Sequence, residues 1–183
     1  MAETGWTLGS TATTNGGADF AWSNAVNVQT DNTSYAEATS GGREESDRLK
    51  VVDFAFGTDP TGTIDGIEAR IRWKSEGAAF AQTNVRLIKG GTVTGSNKST
   101  GATIPSSNQT VDFGSPADLW GLTWTPADVT ASSFGVAFQA EDEDRGSDYI
   151  RVEAIWINVS YTPSPSGPSG EDLARGMFAN VPI

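Results

Sequence analysis

The reading turns on Ser133-Phe-Gly-Val-Ala-Phe138, the acidic run Glu141-Asp-Glu-Asp144, and Ile150-Arg-Val-Glu-Ala-Ile-Trp-Ile-Asn-Val-Ser-Tyr161. Phe134, Val136 and Phe138 recur at every second position, and so do the apolar residues from Ile150 onward. A period of two marks a strand with one face on a core. Consecutive carboxylates resist burial, so Glu141–Asp144 predicts an exposed tip joining the two strands as a hairpin. The apolar phase shifts between Val152 and Ile155, which predicts a β-bulge near Glu153-Ala154.

Strand signals continue upstream. Ile67, Ala69, Ile71 and Trp73 alternate with Glu68, Arg70, Arg72 and Lys74, the pattern of a strand wet on one side. Leu49–Phe56, Asn84–Lys89 and Gln109–Phe113 read as further strands, with weaker signals at Trp6–Leu8, Ala25–Val28 and Tyr35–Ala38. Asp59-Pro60-Thr-Gly62 has turn chemistry, because Pro presets φ and Gly tolerates positive φ. Pro126-Ala-Asp-Val129 predicts one helical turn. About eight such strands without a long helix predict an all-β, antiparallel, jelly-roll-like sandwich over residues 1–162, turn-rich through residue 47.

After Tyr161 the composition changes. Residues 163–170 form a Pro/Ser/Gly linker, stiff and unable to pair into a sheet. Residues 171–183 carry Leu173, Met177, Phe178, Val181 and Ile183, which read either as a frayed terminus or as an apolar segment placed to dock on another subunit.

Composition removes several functions. The chain of 183 residues contains no Cys and no His, which excludes thiolate or imidazole metal sites and histidine-assisted nucleophilic catalysis. A net charge of −11 disfavours nucleic acid and anionic membrane as partners. The opening residues carry no secretory signal, which predicts synthesis in a cytoplasm. No paired carboxylates at a defined spacing point to glycoside hydrolysis, and no motif calls for a cofactor, so the expectation is a non-enzyme. Glu141, Asp142, Asp144 and Asp148 offer oxygen ligands for calcium, but without EF-hand spacing and with Arg145 among them. Trp22, Trp120 and Trp124 lie in turn-rich stretches and are the candidates for stacking on a sugar, with ordinary packing as the competing reading. Trp73 and Trp156 fall on strands and read as packing residues.

Asp118-Leu-Trp-Gly-Leu-Thr-Trp-Thr-Pro-Ala-Asp-Val129, with Ser133–Phe138, Ile155–Tyr161, Asn32–Ala38 and Ile64–Ile67, resembles β-sandwich modules of tailed-bacteriophage virion proteins. That resemblance covers most of residues 22–162. It implies a structural part without catalytic residues. The expected function is a capsid decoration (cement) protein located in the virion, a homotrimer contacting other virion proteins such as the major capsid protein. The alternative is a carbohydrate- or receptor-binding module of a tail fibre.

Overall fold

A computed structural model of the chain describes residues 1–77 and 79–165. In chain order the strands are β1 (Ala2–Glu3), β2 (Thr7–Asn15), β3 (Trp22–Ser23), β4 (Ala36–Ser40), β5 (Arg48–Phe54) and β6 (Thr63–Glu76). They continue as β7 (Phe80–Lys89), β8 (Thr92–Thr94), β9 (Gln109–Ser115), β10 (Gly135–Asp142) and β11 (Asp148–Thr162). A 3-10 helix spans Ala25–Gln29 and a short helix, α1, spans Pro126–Val129.

The strands form two packed antiparallel layers, a jelly-roll-like β-sandwich. Sheet A runs β9-β6-β11, and the far edge of β11 is shared along its length by β4, the start of β2, and β1. Sheet B runs β2-β5-β10-β7-β8. β2 therefore turns the corner: Thr7 and Leu8 pair with β11, and from Gly9 onward the strand pairs with β5. A Cβ at Gly9 would sit 2.4 Å from Val51 Cγ1, so only glycine lets the backbones approach this closely at the corner.

The core lies between the layers. Ile67, Ala69, Ile71 and Trp73 of β6 face inward, opposite Leu49, Val51, Val85, Leu87, Val136 and Phe138 of sheet B, all essentially without exposure. Trp73 packs against Phe113 and Phe138, with ring centroids 5.7 and 5.1 Å away, and Trp22 lies 5.9 Å from Phe138. Each such ring removes about 150–250 Å² from water, and offset or edge contacts add roughly 0.5–1.5 kcal/mol per pair. α1 has the one-turn length its sequence predicts. The Thr125 hydroxyl accepts from the Asp128 N–H at 3.2 Å while Asp128 Oδ2 accepts from the Thr125 N–H at 2.9 Å, a reciprocal capping box.

The bulge is where the phase shift places it. Val152 pairs with Trp73 and Ala154 with Arg72, leaving Glu153 as the extra residue. Three expectations fail. β10 and β11 are not a hairpin: β10 pairs with β5 and β7 in sheet B, whereas β11 pairs within sheet A. The acidic connection thus crosses from one layer to the other. Period two assigns a residue to a face but does not say which sheet the strand joins. Nor is the tip wholly exposed. Asp142 ends β10 on its inward phase and is 0% exposed. Ala25–Val28 is helical rather than extended. Asn24 precedes it at φ 52°, a left-handed turn that an Asn tolerates, and Val28 is driven inward.

Candidate functional site

The three Trp that were candidates for stacking on a sugar are buried. Trp22, Trp120 and Trp124 are 5%, 0% and 8% exposed. Their indole N–H groups donate to the carbonyls of Asp47 (2.8 Å), Ile67 (2.8 Å) and Leu119 (3.0 Å). Buried indoles with their one donor satisfied are packing residues. Trp22 is carried inward on β3, and the loop bearing Trp120 and Trp124 folds back over the sandwich. The acidic residues are also not assembled: among the described residues no group of three carboxylates is placed to hold a metal ion. Asp142 Oδ1 accepts from the Asp144 N–H at 2.9 Å, Glu141 and Asp144 point outward, and Asp148 starts β11. Leu173, Met177, Phe178, Val181 and Ile183 lie outside the described residues.

Two large faces remain, the outer surfaces of the two sheets, and they differ in one physical respect. On sheet A the polar groups satisfy one another. Arg70 makes a bidentate pair with Asp112 at 2.7 and 2.8 Å, and Arg72 bonds Asp31 at 2.5 Å and Glu153 at 3.3 Å. Lys74 lies 2.7 Å from Glu76, and Arg151 bridges Glu37 (2.6 Å) and Glu76. Hydrogen bonding to Asp112 raises the Arg70 pKa, hydrogen bonding to Glu37 raises that of Arg151, and Lys74 lowers that of Glu76. The aromatic rings on this face are engaged too. Arg70 stacks 3.9 Å from the Trp6 centroid, Arg72 lies 5.1 Å from Trp156, and Lys74 lies 5.1 Å from Tyr35. Trp156 is thus a packing residue, but on the outside of its sheet. The buried Glu153 carboxylate also accepts from Asn108 at 2.6 Å and from the Thr33 N–H at 3.3 Å, which ties the loop before β4 to the bulge.

On sheet B the outward side chains form cross-strand rows without ion pairs, although Arg86 Nη1 donates to the Gly95 carbonyl. One row reads Asn15, Arg48, Gln139, Asn84; the next reads Thr13, Lys50, Ala137, Arg86. At the end of the first row lies an open polar depression of about 380 Å³, lined by Asn15, Gly16, Gly17, Ala18, Asp19, Glu45, Arg48 and Gln139. Its floor is Gln139, 5% exposed, whose Nε2 donates to the Ser46 carbonyl at 3.0 Å and whose Oε1 accepts from Arg48 Nε at 2.9 Å. The remaining guanidinium N–H groups of Arg48 have no partner among the described residues.

The walls are fastened to the sheet. Asp47, nearly buried, accepts from the Ala18 N–H at 3.1 Å and from the Thr14 hydroxyl at 3.2 Å. Gly17 takes φ 126°, where a side chain would be strained, and lets the wall turn. Asp19 Oδ2 accepts from the Glu45 N–H at 2.9 Å, and Glu45 Oε1 accepts from Thr83 at 2.9 Å. Arginine donates, carboxylates accept, and Asn and Gln do both, so the depression can pair with a hydroxyl-rich ligand in either sense. No motif in the sequence marks these residues; the nearest signal was the Asn15-Gly-Gly17 turn facing the charged loop from Arg43 to Arg48.

No protein-family model matches the chain, and no curated protein matches it. Among solved structures it is similar in fold to a CBM4 module, with a TM-score of 0.44 and 12% identity over 85% of this chain and 95% of that one. It is similar also to the CBM22-1 xylan-binding domain of Paenibacillus barcinonensis Xyn10C (TM-score 0.46, 11% identity, 88% of this chain and 96% of that one). A third is the family 11 carbohydrate-binding module of the cellulase Lic26A-Cel5E of Clostridium thermocellum (TM-score 0.42, 12% identity, 89% and 98%). The likeness is one of β-sandwich form, and values this low carry nothing about ligands.

Proposed function

We propose that this protein is a non-catalytic glycan-binding β-sandwich that takes its ligand on the outer face of sheet B. One observation carries the reading: Arg48, Gln139, Asn15, Asp19 and Glu45 converge on a depression of about 380 Å³ whose polar groups are not all satisfied by one another. Sugar hydroxyls each donate and accept, and such a mixed lining pairs them without leaving a buried group orphaned. The row that continues through Lys50 and Arg86 extends the surface from a pocket to a strip, as a chain-like ligand requires. The two carboxylates in the lining are each held by a hydrogen bond to the protein's own groups, an arrangement suited to orienting a ligand. The test is a glycan array followed by calorimetry on the hits. Binding that falls with Arg48→Ala, while Arg70→Ala on the opposite sheet leaves it unchanged, supports the reading. Silence across neutral and acidic glycans rejects it.

A second reading keeps the chain in the virion as a decoration protein that associates with itself and with the shell. It is favoured by the way the chain leaves the sandwich: Thr162 donates to Asp65 at 2.7 Å, and Gly62, at φ 90°, packs directly under Pro163 and Ser164. That anchoring holds the chain against the sandwich at Pro163 and Ser164. Mass spectrometry of purified particles decides it, since hundreds of copies per shell are expected of a decoration protein, and its absence from particles would remove the reading.

A further inference from the structure

The cations of this chain divide sharply between the two sheets. Arg70, Arg72, Lys74 and Arg151 on sheet A are all ion-paired, as are Lys89 at the end of β7 and Lys98 in the loop after β8. Arg48, Lys50 and Arg86 have no carboxylate partner among the described residues, although Arg86 Nη1 donates to the Gly95 carbonyl, and all three share the outer face of sheet B. Arg43 and Arg145 are also unpaired but sit against the acidic crossing. Register fixes the arrangement: Lys50 and Arg86 flank Ala137, which lies fully buried beneath its neighbours, and Arg48 is two residues before Lys50 on the same face. Strand geometry puts Lys50 and Arg86 about 10 Å apart across β10, and Arg48 about 7 Å from Lys50 along β5.

In a chain of net charge −11, three cations left unneutralised in adjacent rows are unusual. The acidic groups that share this face are Asp19 and Glu45 in the depression and Glu141 beyond it, so the positive field is centred on Lys50 and Arg86. The overall negative charge does not cancel it at close range, because salt screens separations beyond about 8 Å at physiological ionic strength.

We infer that the glycan taken by this face is acidic, with carboxylate groups meeting Lys50 and Arg86 while the sugar hydroxyls pair with the Arg48–Gln139 depression. The inference rests on the glycan-binding reading and assigns its ligand class. Guanidinium and ammonium groups that meet a carboxylate give charge-assisted hydrogen bonds, stronger than the neutral pairs available elsewhere on the face.

The test uses the full chain with oligogalacturonate and with the same oligomer after its carboxyl groups are reduced to alcohols. The acidic oligomer is expected to bind about tenfold tighter, with the advantage shrinking as salt is raised and lost in Lys50→Gln and Arg86→Gln. Circular dichroism checks that both variants fold. Equal binding of the two oligomers, or acidic binding indifferent to both variants, overturns the inference and leaves the glycan reading standing. Binding of neither oligomer, together with array silence, removes both. If instead the protein self-associates and Lys50→Gln makes it monomeric, the face is an interface between copies, its cations paired with Glu141 of a second molecule, and the inference is overturned.

Discussion

Arg48 donates through Nε to Gln139 Oε1 at 2.9 Å, and this contact joins β5 to β10 across the outer face of sheet B. Gln139 is itself held by the Ser46 carbonyl, so the guanidinium plane is oriented from below and its outer N–H groups are aimed at the depression. The fold places the two side chains side by side although they are 91 residues apart in sequence.

Replacing Arg48 by Ala is expected to weaken glycan binding tenfold or more, since hydrogen bonds to a charged group contribute about 1.5–3 kcal/mol each. Gln139→Leu should weaken it comparably by releasing the guanidinium. Arg48→Ala should change unfolding free energy by less than about 1 kcal/mol, because the group is half-exposed. Calorimetry beside urea melts separates the two effects.

Trp120→Ala should cost about 3–5 kcal/mol of stability without altering ligand affinity per folded molecule. The ring is fully buried and its N–H is the partner of the Ile67 carbonyl. Trp120→Phe keeps most of the volume and should still cost about 1–3 kcal/mol, the consequence of an unpaired buried carbonyl. A loss of sugar binding with unchanged stability would return Trp120 to the ligand site.

The sheet A ion pairs should not be equal. Asp112→Ala breaks an exposed pair and is expected to cost under about 1 kcal/mol. Glu153→Ala removes a carboxylate that is only 4% exposed and leaves Arg72, Asn108 and the Thr33 N–H short of an acceptor, for about 3 kcal/mol. Chemical denaturation of the two variants at low and high salt reads the difference, with the Asp112 effect fading as salt rises.

Asp128 titrates below its ordinary value of 3.8, chiefly because the Thr125 hydroxyl and then the Thr125 N–H donate to it, with Lys89 adding to the effect. A lowered folded pKa means that the capping contribution is fully present above 3.8 and is lost as pH falls through the folded value. Thr125→Ala should therefore destabilise by about 1 kcal/mol near neutrality, and this deficit should narrow in acid below 3.8. A constant deficit across that range would show that Asp128 does not report on the cap.

Much of the sandwich was legible because period-two alternation is a local property. The inward set Ile67, Ala69, Ile71 and Trp73, the bulge at Glu153, and the helical turn at Pro126 all follow from neighbours a few residues away. The binding face was not legible for a complementary reason. Asn15, Arg48 and Gln139 are ordinary polar residues on three separate strands, and nothing in their local sequence sets them apart from other half-exposed positions. Conversely, the Gly and Pro around Trp120 and Trp124 left both packing and ligand stacking open, and their loop folds inward and buries both.

Read alone, the residues determined that the chain is all-β, that its apolar stripes form one core, and that neither histidine nor cysteine chemistry is available to it. Only the tertiary structure decided that β10 and β11 belong to different layers, and hence which polar rows share a surface. Side-chain alternation is set within a strand, whereas strand partnership depends on closing long loops and on packing two layers face to face. Whether a cation meets a carboxylate or stands free is a consequence of that partnership.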